Sequence, residues 1–415
     1  MLRLLAVLFA VLLAVLGAGP AQAGSLLSDD LPDERSGPRD DHGDDHSAAH
    51  DGDTPHGRLP ALGSVSAGPF PAPPTTAAAA AMLRISEDLL LSSQAACELT
   101  FARRYPEARA AFDDISARYP TSGVGPLGAA ILYQALMFEN FDWTYDAQFR
   151  AASAQTRAQV ERGLDEPGAE PLEQFVLAGL GGLDAIHSLR KGDYLVALGR
   201  ALVAMRALRA VEELAPTFAD PRIGDGMYLY WRSVVTAQSS LLPDFPDRRR
   251  EGIEALQRAE AGGVLLGPAA SLVLAFAWIE ERDLPRALRS VDVNNVKYPD
   301  CVVNALTRGR ILTSMRRYDE ALAQYDRVVA QRVNNERVHY FRGIVLARTG
   351  RYADAAAAWT TYLGFTAPPE EYRAQTYYRL GVVRARLGDA GGARAAYAEG
   401  AKLGNVAAKR ALEAL

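Results

Sequence analysis

Two phrases 34 residues apart constrain this chain more than any other feature. Residues 317–325 read RYDEALAQY and residues 351–359 read RYADAAAAW. Aligned on Ala321 and Ala355, each carries an aromatic three residues before the alanine (Tyr318, Tyr352) and another four after it (Tyr325, Trp359). The same frame recurs 34 residues upstream at Ala287, between Leu284 and Val291, and downstream at Ala393 with Tyr397. That last step is 38 residues, and its extra residues fall in TAPPEE. Near the N-terminus, Tyr105, Ala108 and Phe112 repeat the pattern. Twelve residues before each alanine stands a second small residue: Ala96, Ala275, Gly309, Gly343 and Gly381.

Such a period describes a pair of amphipathic helices. The small residues let the two helices approach, and the aromatic fills the space toward the next pair. One pair alone leaves an apolar face in water, so the pairs must stack to make a core. Pro120 and Pro299 fall where the second helix should stop. Small residues at positions 8 and 20 and an aromatic at position 24 of a 34-residue unit resemble the tetratricopeptide repeat (TPR). The resemblance implies an all-α, right-handed TPR-type helical-hairpin solenoid. Four consecutive units cover about 268–404 and one more covers about 89–122.

The resulting organisation is a leader at 1–23, an acidic His/Asp/Pro-rich tail at 24–75 expected to be disordered, a first TPR-like unit at 76–122, an irregular helical region at 123–262 and a C-terminal array at 263–415. The leader has Arg3, an apolar run from Leu4 to Leu16, and AQA at 21–23, which together read as a cleavable signal peptide. An exported, periplasmic or otherwise extracytoplasmic protein is expected. A second apolar stretch at 262–279 is broken by Pro268 and reads as a core helix rather than a span, so no transmembrane span is expected in the mature chain. Two cysteines, Cys97 and Cys301, exclude a disulfide-stapled scaffold. In an open solenoid they would stand tens of ångströms apart as free thiols.

In the middle, residues 224–256 read GDGMYLYWRSVVTAQSSLLPDFPDRRREGIEAL. This string is similar to one in exported bacterial TPR proteins and, more distantly, to the eukaryotic inclusion-body-clearance tetratricopeptide family. The resemblance implies architecture and carries no catalytic residues. Longer, irregular helices are expected here. Tyr228, Tyr230 and Trp231 read as core more readily than as a stacking surface. Trp143 and Tyr145, near the end of a helix, read as packing or a binding rim.

No arrangement points to an enzyme or to a cofactor. Nucleophile elbow, phosphate loop, paired zinc histidines and calcium loop are all absent from the sequence. GLGGLDAIH at 179–187 has dinucleotide-like glycines but no preceding strand, so they read as helix-packing positions. His187 and His339 read as packing or surface residues. The tail alone carries metal-ligand chemistry: His42, His46, His50 and His56 lie among aspartates in DDHGDDHSAAHDGDTPH. A spacer is the plainer reading of that stretch, and a weak metal buffer the alternative.

The net charge of −5 is unevenly placed. Residues 24–60 hold ten acidic and three basic side chains, while residues 302–415 hold eighteen basic and ten acidic ones. A near-neutral whole argues against nucleic acid as a partner. If the first helix of each unit lines the inner face, the exposed stripe is Val303, Leu306, Arg310 and Ser314, then Arg337, Tyr340, Ile344 and Arg348, then Gln375, Tyr378, Val382 and Arg386. Basic and aromatic residues converge on it, which suits a protein or peptide of acidic character. Arg379 occupies a basic position of the carboxylate clamp found in chaperone-binding repeats. Leu306 and Phe341 stand where that clamp needs Lys and Asn, so a C-terminal carboxylate is not the expected ligand. Three readings follow: a non-enzymatic envelope adaptor, peripherally associated if it touches the membrane at all; a metal-binding tail; or a tail that occupies and gates the basic groove.

Overall fold

In the computed structural model the described residues are 62, 65, 70–140, 142–165, 170–237, 246–365 and 370–415. Their regular structure is helical throughout. The leader and its cleavage signal, the acidic tail up to residue 61, and the four tail histidines lie outside them. The helices are α1 (Thr76–Leu83), α2 (Glu87–Phe101), α3 (Tyr105–Arg118), α4 (Val124–Glu139), α5 (Asp146–Gly163) and α6 (Glu170–Arg190). They continue with α7 (Tyr194–Leu214), α8 (Arg222–Ala237), α9 (Arg249–Gly262), α10 (Gly267–Glu280), α11 (Leu284–Lys297) and α12 (Val302–Ser314). The last six are α13 (Tyr318–Ala330), α14 (Glu336–Arg348), α15 (Tyr352–Leu363), α16 (Glu370–Arg386), α17 (Ala390–Lys402) and α18 (Val406–Glu413). Each helix packs chiefly on its neighbours in sequence, which is the stacked-pair architecture the repeat requires. The described residues divide into two compact units at 308/309, within α12.

Six of the turns between described helices follow one rule. Arg103, Gly192, Arg282, Arg316, Gly350 and Gly388 all have positive φ, two residues before α3, α7, α11, α13, α15 and α17 respectively. The next amide in each case reaches back over the turn: Arg104 to Leu99, Asp193 to Ser188, Asp283 to Trp278, Arg317 to Leu312, Arg351 to Leu346 and Asp389 to Arg384, all at 2.9 Å. This left-handed C-cap satisfies carbonyls that the ending helix leaves unpaired. Arginine adopts it at a cost of about 1 kcal/mol relative to glycine, so the packing that follows must hold it in place.

That packing is what the repeated phrase encodes. In the second unit, a methyl placed on Gly309 would sit 2.5 Å from the Tyr325 ring, one on Gly343 2.3 Å from the Trp359 indole, and one on Gly381 2.5 Å from the Tyr397 ring. Each aromatic therefore lies flat against the glycine of its own first helix. Tyr325 and Trp359 are fully buried.

The first unit closes on itself. Gln94 donates to the Val264 carbonyl at 3.3 Å, Lys297 and Tyr298 both reach Glu98 (2.5 and 2.7 Å), and Phe101 stacks on Tyr298 with centroids 5.3 Å apart. Between these ends lies α1, whose Ala79, Ala80 and Leu83 are buried beside Leu90, Val211, Ala215, Phe218, Val264 and Leu265. Two expectations change as a result. Folded structure begins before residue 75: Val65 is buried, and the Pro71 carbonyl lies beside Gly262, because this Pro/Ala-rich stretch finds an apolar seat. Nor are the cysteines remote: Glu98, next to Cys97, touches Tyr298, three residues before Cys301. Both thiols are free.

The irregular region earns its distinct sequence through backbone contact and buried charge. A methyl on Gly252 would lie 2.7 Å from the Tyr230 amide nitrogen, so α8 and α9 touch along their backbones. Tyr230 and Trp231 are core. Arg249, 4% exposed, pairs with Glu281 at 3.0 Å and Asp247 at 2.8 Å, and Tyr230 donates to Glu281 at 2.8 Å. Asp220, fully buried, accepts the amides of Val264, Leu265 and Leu266 at 2.6–2.8 Å, which holds the loop that starts α10. No described helix is long and apolar enough to cross a membrane; the 262–279 stretch instead contains the short buried helix α10.

Candidate functional site

The basic face of the second unit is built on the inner helices α12, α14 and α16. Arg310 is half-buried on α12, with its guanidinium 5.3 Å from the centroid of Phe341. Arg337, on α14, is half-buried as well. Burial draws it down to about 10; Tyr372 and Glu336 oppose that shift and Arg310 adds to it. Arg310 and Arg348 both lie within electrostatic reach of the buried Tyr325 hydroxyl. Neither Arg310 nor Arg348 forms an ion pair with a carboxylate among the described residues. Three other arginines of this unit sit against a carboxylate: Arg317 pairs with Glu320, Arg342 with Asp326 and Arg351 with Asp354.

Beneath these cations is an aromatic floor. Phe341 stacks on Tyr325 at 6.3 Å and meets Tyr340 edge-on at 5.4 Å, and Tyr340 in turn contacts Tyr362 and Tyr372. The floor corrects the stripe drawn from the sequence. Tyr340 is only 4% exposed, and its hydroxyl receives a hydrogen bond from Arg379 at 3.0 Å and lies 3.3 Å from Gln375. Arg379 itself is 5% exposed and lies over the Tyr340 ring, so it braces α16 on α14 instead of facing a ligand. Ile344 is buried too. Of the remaining positions, Tyr378 is half-buried against Tyr397 and Arg386 is exposed. The residue the stripe omitted is Phe341, four after Arg337 and thus on the same helical face.

The histidines outside the tail take other roles. His187 is buried, 2.7 Å from Asp146 and 3.3 Å from Gln134, stacked on Phe149 and edge-on to Trp143. Burial lowers its proton affinity and Asp146 pulls the other way. Asp146 also binds Lys191 and Arg150, so the carboxylate is fully engaged in tying α5 to α6. His339 is half-buried beside Phe365. Among the described residues no group of three His, Cys, Asp or Glu side chains could hold a metal ion.

Residues 306–371 match the family model of the tetratricopeptide repeat. Over that stretch the chain carries tetratricopeptide repeats. No curated protein matches its sequence significantly. Among solved structures it is similar to a tetratricopeptide repeat protein of Parabacteroides merdae, with 14% identity over 68% of this chain and 97% of that one and a TM-score of 0.34. It is also similar to a chain of the APC/C hetero-tetramer Cut9–Hcn1 (14% identity, 74% and 58% covered, TM-score 0.45). Yeast Tom70 gives 12% identity, 82% and 91% covered and a TM-score of 0.35.

Proposed function

We propose that this TPR protein is a non-catalytic adaptor that holds an acidic segment of a partner protein on the Arg310–Arg337–Arg348 face of its second unit. Tetratricopeptide-repeat proteins mediate protein–protein binding. What carries the reading is the gathering of three arginines on an aromatic floor, two of them without a carboxylate of their own. Guanidinium groups over aromatic rings are fixed, weakly hydrated donors suited to carboxylates. In the first unit, α1 already covers the apolar face it meets, whereas no described residue supplies an anion to Arg310 or Arg348. The leader at 1–23 supports an exported protein working at the cell envelope.

The test is binding of a labelled short Glu-rich peptide, followed by anisotropy, to the full chain and to Arg310→Glu/Arg348→Glu. Replacing two half-buried attractions by repulsions should weaken binding at least about tenfold, with about 1 kcal/mol lost per charge contact. The salt dependence should flatten as well. Equal binding by a correctly folded double variant would overturn the assignment.

A further inference from the structure

We propose that the seat under α1 in the first unit is a docking site for an apolar, alanine-faced helix of a partner protein, and that α1 is its resident occupant. The site is separate from the arginine face of the second unit. Its chemistry is read from what already fills it. Ala79, Ala80 and Leu83 share one face of α1 and are buried. They lie against Leu90 of α2, Val211 of α7, Ala215, Phe218 and Val264. The opposite face, Ala77, Ala81 and Arg84, is exposed and carries a single charge. A seat lined in this way takes small side chains and one leucine, and it offers nothing to a charged segment.

Two observations make α1 replaceable as well as buried. First, the walls of the seat are held without it. Asp220 takes the amides of Val264, Leu265 and Leu266, Gln94 donates to the Val264 carbonyl at 3.3 Å, and Phe175 meets Phe218 edge-on at 5.2 Å. The seat therefore keeps its shape when α1 leaves. Second, α1 is weakly attached. Its eight residues are too few for a helix to persist alone in water, and alanines bury little surface. Its contact with Glu170, from Arg84 at 3.3 Å, is about half exposed at both ends and contributes little. Met82 receives only a long 3.5 Å contact from the Thr217 hydroxyl. Arg84, where the chain leaves α1 for α2, has a φ of 56°, a strained setting for a residue with a side chain. Departure of α1 would turn Leu90, Val211 and Phe218 toward water, which favours occupation by another apolar segment. Helix α1 keeps that surface covered until a matching helix displaces it.

The probe is a labelled synthetic peptide of residues 74–86, followed by anisotropy against the native full chain and against full-length Leu83→Asp, which evicts α1 and leaves the seat intact. The Leu83→Asp chain should bind the peptide. The native chain should bind it at least about tenfold more weakly, because its own α1 competes at an effective concentration on the order of 1 mM. A control peptide carrying Leu83→Asp should bind neither. Equal binding by the two chains, or none by a folded Leu83→Asp chain, overturns the proposal. Hydrogen exchange of the native chain tests it without any substitution. The α1 amides should exchange at least about a hundredfold faster than those of α2 and α6, through local opening, and excess peptide should speed them further. Amides in α1 as slow as those of α2 and α6 would make it an inseparable part of the core and overturn the proposal too. A heterodimer of native and Leu83→Asp chains, seen by light scattering, would make another copy's α1 the occupant and sink the partner reading. None of these outcomes touches the arginine face.

Discussion

The close fit of glycine to aromatic within each repeat makes a prediction of opposite sign at two glycines of similar helical setting. Gly343 lies in α14, and a methyl there would stand 2.3 Å from Nε1 and 2.6 Å from Cδ1 and Cε2 of Trp359. The indole cannot yield cheaply: it is fully buried, and Nε1 donates to the Tyr340 carbonyl at 3.1 Å. Alanine gains about 1 kcal/mol in helix propensity over glycine. Against this, overpacking a dense core costs about 1–3 kcal/mol, and a displaced indole forfeits a hydrogen bond of about 1 kcal/mol. Gly343→Ala should therefore be destabilising by about 1–3 kcal/mol. Gly182, in α6, has no heavy atom within 4 Å of its added methyl, so Gly182→Ala should stabilise by about 0.5–1 kcal/mol. Urea denaturation resolves the two. Circular dichroism follows the whole chain, and amide hydrogen exchange of peptides from 309–415 reports the second unit separately, which matters because the units need not unfold together. A Gly343→Ala protein as stable as the parent would refute the claim that the repeated glycine exists to seat the aromatic.

Two further predictions concern titration. Burial, then the neighbouring Asp225 carboxyl, pushes Glu212 up to about 7, against the pull of Arg222 at 2.7 Å and of Arg209. A carboxyl whose folded value is raised contributes stability below about pH 4.5 that is lost as pH climbs through about 7. An unscreened shift of this size would carry about 3 kcal/mol, and solvent at the edge of the pair should reduce it to about 1 kcal/mol. Glu212→Gln should remove that loss between about pH 5 and 8, and identical pH–stability slopes for the two proteins would contradict it. The Cys97 thiol is pushed up to about 12, mainly by burial and further by Asp220 and Glu98. It should resist iodoacetamide at about pH 8 in the native protein and react in urea, as read by mass spectrometry of the tryptic peptide, because the thiolate is the nucleophile. Rapid native labelling would show that the α2 face is open.

The regular repeats were legible because their determinants are local. Ala321, Tyr325 and Gly309 lie within one helical pair, and their spacing alone reports the contact. The same periodicity assigns Arg310, Arg337 and Arg348 to first helices of their pairs, α12 and α14. Tyr340 and Arg379 were misplaced because the periodicity gives direction from the helix axis but not the tilt of the next helix, and that tilt decides which side chains bury each other. The closure of the first unit left no periodic trace. Glu98, Lys297 and Tyr298 are individually unremarkable residues about two hundred positions apart, and nothing short of the three-dimensional path pairs them. Helix α1 was hidden by composition: TAAAAAML reads as the end of a polar tail, yet small side chains are what a helix needs to enter a narrow seat. Asp146 and His187 were equally obscure, since an aspartate at a helix start usually serves its own helix.

The contact between Glu98 and the Lys297–Tyr298 pair has a kinetic corollary. Linear repeat arrays assemble from neighbours and can begin anywhere along their length. The first unit has instead a seam between residues 199 and 200 positions apart. Contacts of such separation demand a long loop closure before they repay anything, which slows folding. During synthesis at about 5–20 residues per second, α1 and α2 must wait roughly 10–40 s after emerging before the other side of the seam exists. Through that interval Leu83 and Leu90 have no seat, so the nascent chain offers a chaperone an apolar N-terminal surface that the finished protein conceals. The helices made first are among the last to find their place.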